Sequence, residues 1–163
     1  MLAKKLDERH TLVKTTRYPR VSISTCKGHS VLLGIGGNIG DVVRRFNHLF
    51  VLLKRSKFVE VIESSPILIN PPFGYVKQKD FYNALLLIKT PLTPKKLLRY
   101  LLHIEKKFGR KRSFQDAPRT LDIDIIFYEN VTMQTESLTL PHHGWMERLS
   151  VLVPLSYMKG NVA

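Results

Sequence analysis

Two aspartates spaced two residues apart, Asp122 and Asp124, are the strongest chemical signal in the sequence. They lie in a segment from Leu121 to Tyr128 whose alternation predicts a β-strand, with Ile123 and Ile125 on its apolar face. Because residues two apart in a strand project to the same side, the two carboxylates are expected to be neighbours. They repel each other unless a cation offsets them, and such oxygen ligands suit Mg²⁺. Two solvated acids on an exposed sheet face are the alternative.

Basic residues precede this acidic strand. Residues 95–119 contain nine Lys/Arg and two acidic residues, whereas residues 120–163 contain two and five. Arg110, Lys111, Arg112 and Arg119 lie in or beside a predicted loop, and guanidinium groups bind phosphate oxygens in a fork geometry. A basic loop alone could simply be solvated. Together with the aspartates, it supplies the parts of a phosphoryl-transfer site, namely metal ligands and a cationic clamp.

Aromatic residues form a third group, in the segments Pro71-Pro72-Phe73-Gly74 and Phe81-Tyr82-Asn83. A rigid proline loop that presents Phe73, next to a strand that presents Phe81, could hold a flat ligand by stacking. The Asn83 amide could read the donor and acceptor edge of a heterocycle. Ordinary core aromatics are the alternative. His142 and His143 could act as metal ligands or as hydrogen-bond donors to phosphate. A structural role is the alternative.

The overall composition narrows the class of protein. The chain has 163 residues and a net charge of +13, which favours anionic partners. Its single cysteine, Cys26, excludes an internal disulfide or a zinc site built on two thiolates, and a reducing, cytoplasmic setting is expected. No apolar stretch is long enough to span a membrane, and no secretory signal is apparent.

The elements that would position these groups follow the order strand, helix, strand, strand, helix, strand. In order, they are a strand at Val31–Ile35, a helix capped by Asp41, strands at Phe58–Ile69 and Phe81–Ile88, a helix starting at Thr93-Pro94 and ending near Gly109, and the strand Leu121–Tyr128. This order predicts an α+β fold of the ferredoxin-like split βαβ type, an antiparallel sheet with helices packed on it.

The remaining segments receive weaker predictions. Residues 1–29 are interpreted as a basic N-terminal extension, and residues 30–163 as the domain. The extension is expected to be a mobile tail with a short helix at Met1–His10. A segment that binds anionic partners or directs import is the alternative. Short strands ended by proline are expected at residues 138–143 and 151–155. The glycine-rich turn at residues 36–40 is taken as a close-packing turn rather than a dinucleotide-binding loop.

These pieces, in this order, resemble the 6-hydroxymethyl-7,8-dihydropterin pyrophosphokinase family of folate biosynthesis. The resemblance covers residues 31–155 and is carried by Gly34–Asp41, Pro71–Gly74, Asp80–Ala84, Ile104-Glu105, Gly109–Arg112, Pro118–Ile125, Pro141-His142, Arg148 and Val151–Leu155. The Pro-Arg-Thr-Leu-Asp-x-Asp run is its most specific part.

The resemblance implies an ATP-dependent diphosphotransferase in which the pterin hydroxymethyl oxygen attacks the β-phosphorus of MgATP and AMP is released. It implies that Asp122 and Asp124 bind two Mg²⁺ ions. It implies that the phosphates are bound by Arg110, Arg112 and Arg119. The residues implied to bind the pterin are Pro71, Pro72, Phe73, Phe81 and Asn83. Those implied to bind the nucleotide are Glu105, His142 and Arg148, together with the three arginines. We expect small-molecule substrates, no nucleic-acid or membrane partner, and a monomer.

Two rival functions stay open at this stage. The charge of +13 would also suit an RNA-binding module with this fold, although the aspartate strand has the opposite charge to the basic, aromatic strand of such modules. A relative that binds nucleotide without catalysis is the second rival. Release of AMP from ATP, with and without the pterin, would separate all three.

Overall fold

The apolar runs of the sequence pair into one antiparallel sheet, and the predicted α+β class is confirmed; the ferredoxin-like label stays a prediction. The computed structural model describes residues 1–160. The sheet contains β1 (Leu2–Lys5), β2 (Thr11–Lys14), β3 (Arg20–Val21), β4 (His29–Gly37), β5 (Glu60–Ser64), β6 (Ile67–Asn70), β7 (Phe81–Thr90) and β8 (Asp122–Tyr128), while β9 (Met133–Gln134) and β10 (Thr139–Leu140) form a separate ribbon. The helices are α1 (Val42–Lys54), α2 (Pro94–Lys107) and α3 (Leu149–Ser156), with a 3₁₀ turn at Trp145–Glu147.

Helices α1 and α2 begin where the sequence predicts. The Asp41 carboxylate accepts a hydrogen bond from the Arg44 backbone N–H at 2.9 Å, which satisfies one free donor at the start of α1. Pro94 opens α2, where its missing N–H costs nothing. Both helices bury apolar residues in the core on one face of the sheet, with Phe46 and Leu101 fully enclosed.

Helix α3 lies on the opposite face, where Val151 packs with Leu32, Leu85 and Ile126. The prediction of a short strand at residues 151–155 is therefore wrong. The Val-Leu-Val-Pro run favours a strand by local propensity, but its burial against the sheet outweighs that preference. The predicted short strand near residue 139 is confirmed as β10, which ends before Pro141.

The segment Phe58–Ile69, predicted as one strand, is divided. Strands β5 and β6 both pair with β7, one after the other along the same edge. Pro66 falls between them, and because proline has no N–H it cannot continue the ladder.

The N-terminal segment departs most from expectation. The prediction of a helix at Met1–His10 is wrong, because β1 and β2 form an antiparallel hairpin in this part of the chain. Strand β2 pairs with β6, and Leu12, Val13 and Tyr18 are buried. The Tyr18 hydroxyl donates to the Phe46 carbonyl at 3.0 Å. Residues 2–21 are therefore an edge of the same sheet rather than a mobile extension, because their apolar side chains complete the core.

Glycines of the central strand β4 make room for the neighbouring strands. Gly36 lies opposite Asn83 on one side and Asp122 on the other, and Gly34 lies opposite Leu85 and Asp124. A Cβ at Gly36 would lie 2.8 Å from the Asn83 side-chain oxygen. One at Gly37 would lie 2.5 Å from the Thr120 carbonyl oxygen. The prediction of a close-packing glycine segment is confirmed.

Candidate active site

A cavity of about 380 Å³ lies on the sheet face that α3 partly covers, and its floor contains Gly34 and Gly36. The structure brings most of the predicted site residues into this one cavity. Those that line it are Pro71, Pro72, Phe73, Phe81, Asn83, Arg119, Asp122, Asp124, His142 and Arg148. Arg110 and Arg112 instead line a neighbouring cavity within residues 110–119, and Arg119 lines both.

Asp122 is held by two guanidinium groups. Arg110 Nη1 lies 2.9 Å from its Oδ1, and Arg119 Nη1 lies 2.9 Å from its Oδ2. Both arginines are largely buried, and Arg110 Nε has no hydrogen-bond partner among residues 1–160. The cationic groups expected to meet phosphate therefore already converge on the acidic strand.

Asp124 lies on the same face of β8 but has different surroundings. Burial foremost, and then the neighbouring Asp122 charge, raise the pKa of its carboxyl above the usual value. His142 Nε2, 3.8 Å away, and Arg148 oppose the shift. The carboxyl is thus in a position where an added cation would favour its ionised form.

The donor set fits Mg²⁺ shared with a phosphorylated substrate. Within residues 1–160 no group of three His, Cys, Asp or Glu side chains could hold a metal ion alone. Two carboxylates are enough for Mg²⁺, which keeps several waters and binds substrate phosphates. Burial foremost, and then repulsion from Asp122, raise the pKa of Asp124, and the charge of such an ion would oppose both effects.

Glu105, predicted at the nucleotide site, lies beneath the acidic strand and does not line the cavity. Its carboxylate accepts the Ile123 backbone N–H at 2.8 Å. Burial foremost raises the pKa of Glu105 to about 7, and Asp122 adds to the rise, while the Ile123 hydrogen bond and Arg110 oppose it. Arg112 is 72% exposed, with its guanidinium 4.0 Å from this carboxylate.

One arginine guanidinium lies over each of the two rings predicted to stack on a ligand. The Arg119 guanidinium carbon lies 5.1 Å from the centroid of Phe81, and that of Arg148 lies 5.9 Å from the centroid of Phe73. Phe73 is 78% exposed. Each ring thus lies next to a guanidinium group, so a flat ligand stacked on the rings would also contact the arginines.

An amide pair marks the edge of the aromatic region. Asn83 Nδ2 donates to Asn70 Oδ1 at 2.7 Å. Its own Oδ1 occupies the space that a Cβ at Gly36 would need, 2.8 Å from that position. Among residues 1–160 this oxygen accepts no hydrogen bond, so it is available to a ligand in the cavity that Asn83 lines.

Two loops meet over the cavity. Tyr75 and Phe114 contact edge to face at 5.3 Å, and the Gln78 amide donates to the Asp116 carbonyl at 2.9 Å. A Cβ at Gly74 would lie 2.5 Å from the Asp116 carboxylate. The loop 70–80 and the basic loop 109–118 are therefore in direct contact.

Some lining residues were not predicted from the sequence. They are Arg9, His10, Asn70, Asp116 and Glu147. Asn70 directly precedes the double proline, so its position was a usable signal. Nothing in the sequence pattern linked Arg9 and His10 to the site, because their approach depends on the pairing of β2 with β6.

Acidic, cationic and aromatic groups in one cavity on an α+β sheet fit the class of enzymes that transfer a phosphoryl-type group to a flat substrate. Comparison with known proteins makes the class specific. Residues 32–160 match the family model described as 7,8-dihydro-6-hydroxymethylpterin-pyrophosphokinase, and the chain belongs to this family.

Curated relatives agree with this assignment. The chain is 48% identical over 128 residues to the 2-amino-4-hydroxy-6-hydroxymethyldihydropteridine pyrophosphokinase of Helicobacter pylori, covering 77% of this chain and 78% of that one. It is 44% identical over 124 residues to the enzyme of the same name from Campylobacter jejuni, covering 76% and 79%. The Bacillus subtilis enzyme of that name is 38% identical over 124 residues, covering 76% and 74%.

Proposed function

We propose that the protein transfers the β,γ-diphosphate of ATP to the hydroxymethyl group of 6-hydroxymethyl-7,8-dihydropterin, in folate biosynthesis, and releases AMP. One observation carries the proposal: the carboxylates of Asp122 and Asp124 line the same cavity as Phe73, Phe81 and Asn83. Family membership and the relatives' printed names give the substrates their chemical identity.

The pterin is proposed to lie between the proline loop and the sheet. Phe73 and Phe81 would stack on its ring, with Pro71 and Pro72 fixing the loop. The Asn83 oxygen, oriented by the hydrogen bond to Asn70, would accept from the donor edge of the ring.

The ATP phosphates are proposed to lie between the two cavities that share Arg119. Arg110, Arg112 and Arg119 would bind their oxygens, with His142 and Arg148 on the nucleotide side. Glu105 would act from below, by holding the Ile123 backbone and the arginines in place.

Asp122 and Asp124 would hold two Mg²⁺ ions. Bound there with ATP, the ions would neutralise charge on the phosphates and polarise the β-phosphorus. To hold a metal ion, Asp122 would give up its contacts with Arg110 and Arg119, and their guanidinium groups would become free to bind phosphate oxygens.

Catalysis then rests on placement. The aromatic residues hold the hydroxymethyl oxygen beside the β-phosphorus, and the arginines hold the diphosphate in line with it. A bond forms between that oxygen and the β-phosphorus, and the bond from the β-phosphorus to the oxygen of the α-phosphate breaks. The hydroxyl proton is lost to water, and the products are AMP and the diphosphate ester of the pterin.

The proposed setting is the cytoplasm, where ATP is abundant and the thiol of Cys26 stays reduced. Among residues 1–160, no helix has the length and apolar character needed to cross a membrane. The partners proposed are the two small-molecule substrates, and the proposed state is a monomer.

Release of AMP from MgATP tests the function. The expected result is AMP formed in step with consumption of the hydroxymethyl-dihydropterin, and almost none without it. A nucleotide-binding relative without catalysis would bind MgATP and release no AMP under either condition. An RNA-binding module would bind neither substrate. Either result would overturn the proposal.

A further inference from the structure

The turn of the N-terminal hairpin reaches the same cavity. Residues Leu6–His10 join β1 to β2, and both Arg9 and His10 line the cavity. They precede residue 32, where the match to the family model begins. The hairpin is therefore a wall of the site that the family resemblance does not account for.

Strand register determines which part of the cavity this wall adjoins. Strand β2 pairs with β6 through Thr11 opposite Ile69 and Leu12 opposite Leu68. The next residues after this ladder, His10 and Asn70, both line the cavity, and Asn70 is itself opposite Phe81. Since Asn70 holds the Asn83 amide, His10 borders the region proposed to bind the pterin edge.

Asp7 fixes the orientation of the His10 ring. Its carboxylate lies 2.9 Å from His10 Nδ1 and accepts the backbone N–H groups of Arg9 at 2.7 Å and His10 at 2.8 Å. The Arg9 N–H foremost, and then the His10 ring, hold the pKa of Asp7 below its usual value. An ionised carboxylate only accepts hydrogen bonds, so Nδ1 carries a hydrogen.

Nδ1 carries a hydrogen in both the neutral and the protonated ring, and in the neutral ring Nε2 has a free lone pair that can accept a hydrogen bond. Among residues 1–160 no hydrogen bond is formed by Nε2, and the His10 side chain is 18% exposed, on the cavity side of the hairpin. In its neutral form the ring thus presents an oriented acceptor beside an amide pair.

We propose that His10 is a binding residue for the heterocyclic substrate, with Nε2 accepting a hydrogen bond from an N–H group at the polar edge of the pterin. Asp7 is a positioning residue that acts through His10. The inference rests on the proposed function, because it takes the pterin to lie against Phe81 and Asn83.

Calorimetric titration of the full chain with the hydroxymethyl-dihydropterin, in the presence of a non-hydrolysable MgATP analogue, tests the proposal. His10→Ala and His10→Leu are expected to weaken pterin binding about three- to tenfold, the effect of one neutral hydrogen bond. His10→Gln, whose amide oxygen can accept near the position of Nε2, should restore most of it. Binding of the MgATP analogue should change less than twofold in all three.

Asp7 is tested in the same titration. Asp7→Ala should weaken pterin binding while Asp7→Asn, which keeps an accepting oxygen, should bind as wild type does. A merely structural role would lower the thermal midpoint of Asp7→Ala without this selective loss of pterin affinity. Lys5→Ala is the matched control, because Lys5 is exposed on the same hairpin and does not line the cavity.

Two outcomes would contradict the proposal, and they are distinguishable from failure of the proposed function. If Asn83→Ala loses pterin affinity while both apolar His10 variants keep it, the hairpin is not part of the pterin site. If pterin and MgATP analogue affinities fall equally in the His10 variants, the hairpin supports the fold rather than the ligand. Loss in neither Asn83→Ala nor the His10 variants would instead place the pterin elsewhere and overturn the proposed site.

Discussion

Asp122 and Asp124 lie two residues apart on one strand, yet they are stabilised differently. Both oxygens of Asp122 are within 2.9 Å of a guanidinium nitrogen. Asp124 has His142 at 3.8 Å, and its pKa is raised by burial and by Asp122. The two arginines therefore offset the charge of Asp122, whereas burial and Asp122 disfavour the ionised form of Asp124, which an added cation would favour.

We expect Asp122→Ala and Asp124→Ala each to lower turnover by at least about 10²-fold, because each removes a proposed ligand of a charge-neutralising ion. Steady-state AMP release at saturating Mg²⁺ measures it. Asp124→Asn separates function from folding: its thermal midpoint should equal or exceed that of the wild type, because burial and the Asp122 charge disfavour the ionised carboxylate that the substitution removes. Near wild-type turnover in both alanine variants would reject the metal assignment.

Glu105 makes stability depend on pH. Its pKa is about 7 in the fold and 4.5 in the unfolded chain, so between these values the folded state binds more protons. The free energy of unfolding should therefore fall as pH rises from about 4.5 to about 7, by up to about 3 kcal/mol.

Urea unfolding at a series of pH values between 5 and 8 measures this dependence. Glu105→Gln keeps an acceptor for the Ile123 N–H but cannot ionise, so its unfolding free energy should fall less over the same range. Equal slopes in the two proteins would show that Glu105 does not titrate in this window.

At the scale of elements, the basic loop 109–118 is held at Arg110 and again from Phe114 onward, and it is exposed at Arg112 between these two contacts. Arg110 is largely buried against Asp122, whereas Arg112 is 72% exposed. Phe114 contacts Tyr75 of the facing loop. These contacts leave the central cations free to turn toward phosphate while the ends stay in place, which is the behaviour of a lid.

We expect amide hydrogen exchange in residues 111–116 to slow when both the non-hydrolysable MgATP analogue and the pterin are bound, because phosphate removes the mutual repulsion of the loop cations. Helix α1, on the other face of the sheet, is the internal control and should not change. Equal exchange with and without ligands would reject the lid.

Local sequence patterns were enough to predict the strand of Asp122 and Asp124 and the two helices packed on the sheet. The alternation around Asp122 and Asp124, the Asp41 cap and the Thr93-Pro94 helix start each arise from interactions within a few residues. The aromatic and cationic residues were predicted individually for the same reason. Their convergence followed from the family resemblance, and the register of β4 with β7 and β8 shows how it is achieved.

Elements that depend on distant partners could not be predicted in this way. Helix α3 contains a strand-like Val-Leu-Val-Pro run and becomes helical against the sheet. Strand β1 is exposed along its whole length, so it has no apolar alternation to detect. Glu105 has the helical spacing of a core residue, and its position beneath Ile123 is visible only once α2 is packed on β8.

At the scale of the whole molecule, the N-terminal hairpin extends both the core and the site. Leu12 and Tyr18 are fully buried, and the hairpin covers the edge of β6. We expect Leu12→Ala to lower the free energy of unfolding by about 2–5 kcal/mol, because it leaves a cavity in the core.

Chemical denaturation of the two-state transition measures this loss. Ile23→Ala is the matched control, since Ile23 is 95% exposed and its truncation should change stability by less than about 0.5 kcal/mol. If Leu12→Ala were as stable as Ile23→Ala, strands β1 and β2 would not contribute to the stability of the rest of the domain.

The pairing of β2 with β6 also sets an order for synthesis. Val13 and its partner Ile67 are 54 residues apart, so at about 5–20 residues per second the ribosome needs several seconds to make the second after the first. Until then the hairpin is an isolated pair of strands, which is at best marginally stable in water. The hairpin is translated first, but it can take its place in the cavity wall only after β6, the strand before the double proline, has been made. Until then the nascent chain lacks the part of the cavity that Arg9 and His10 line.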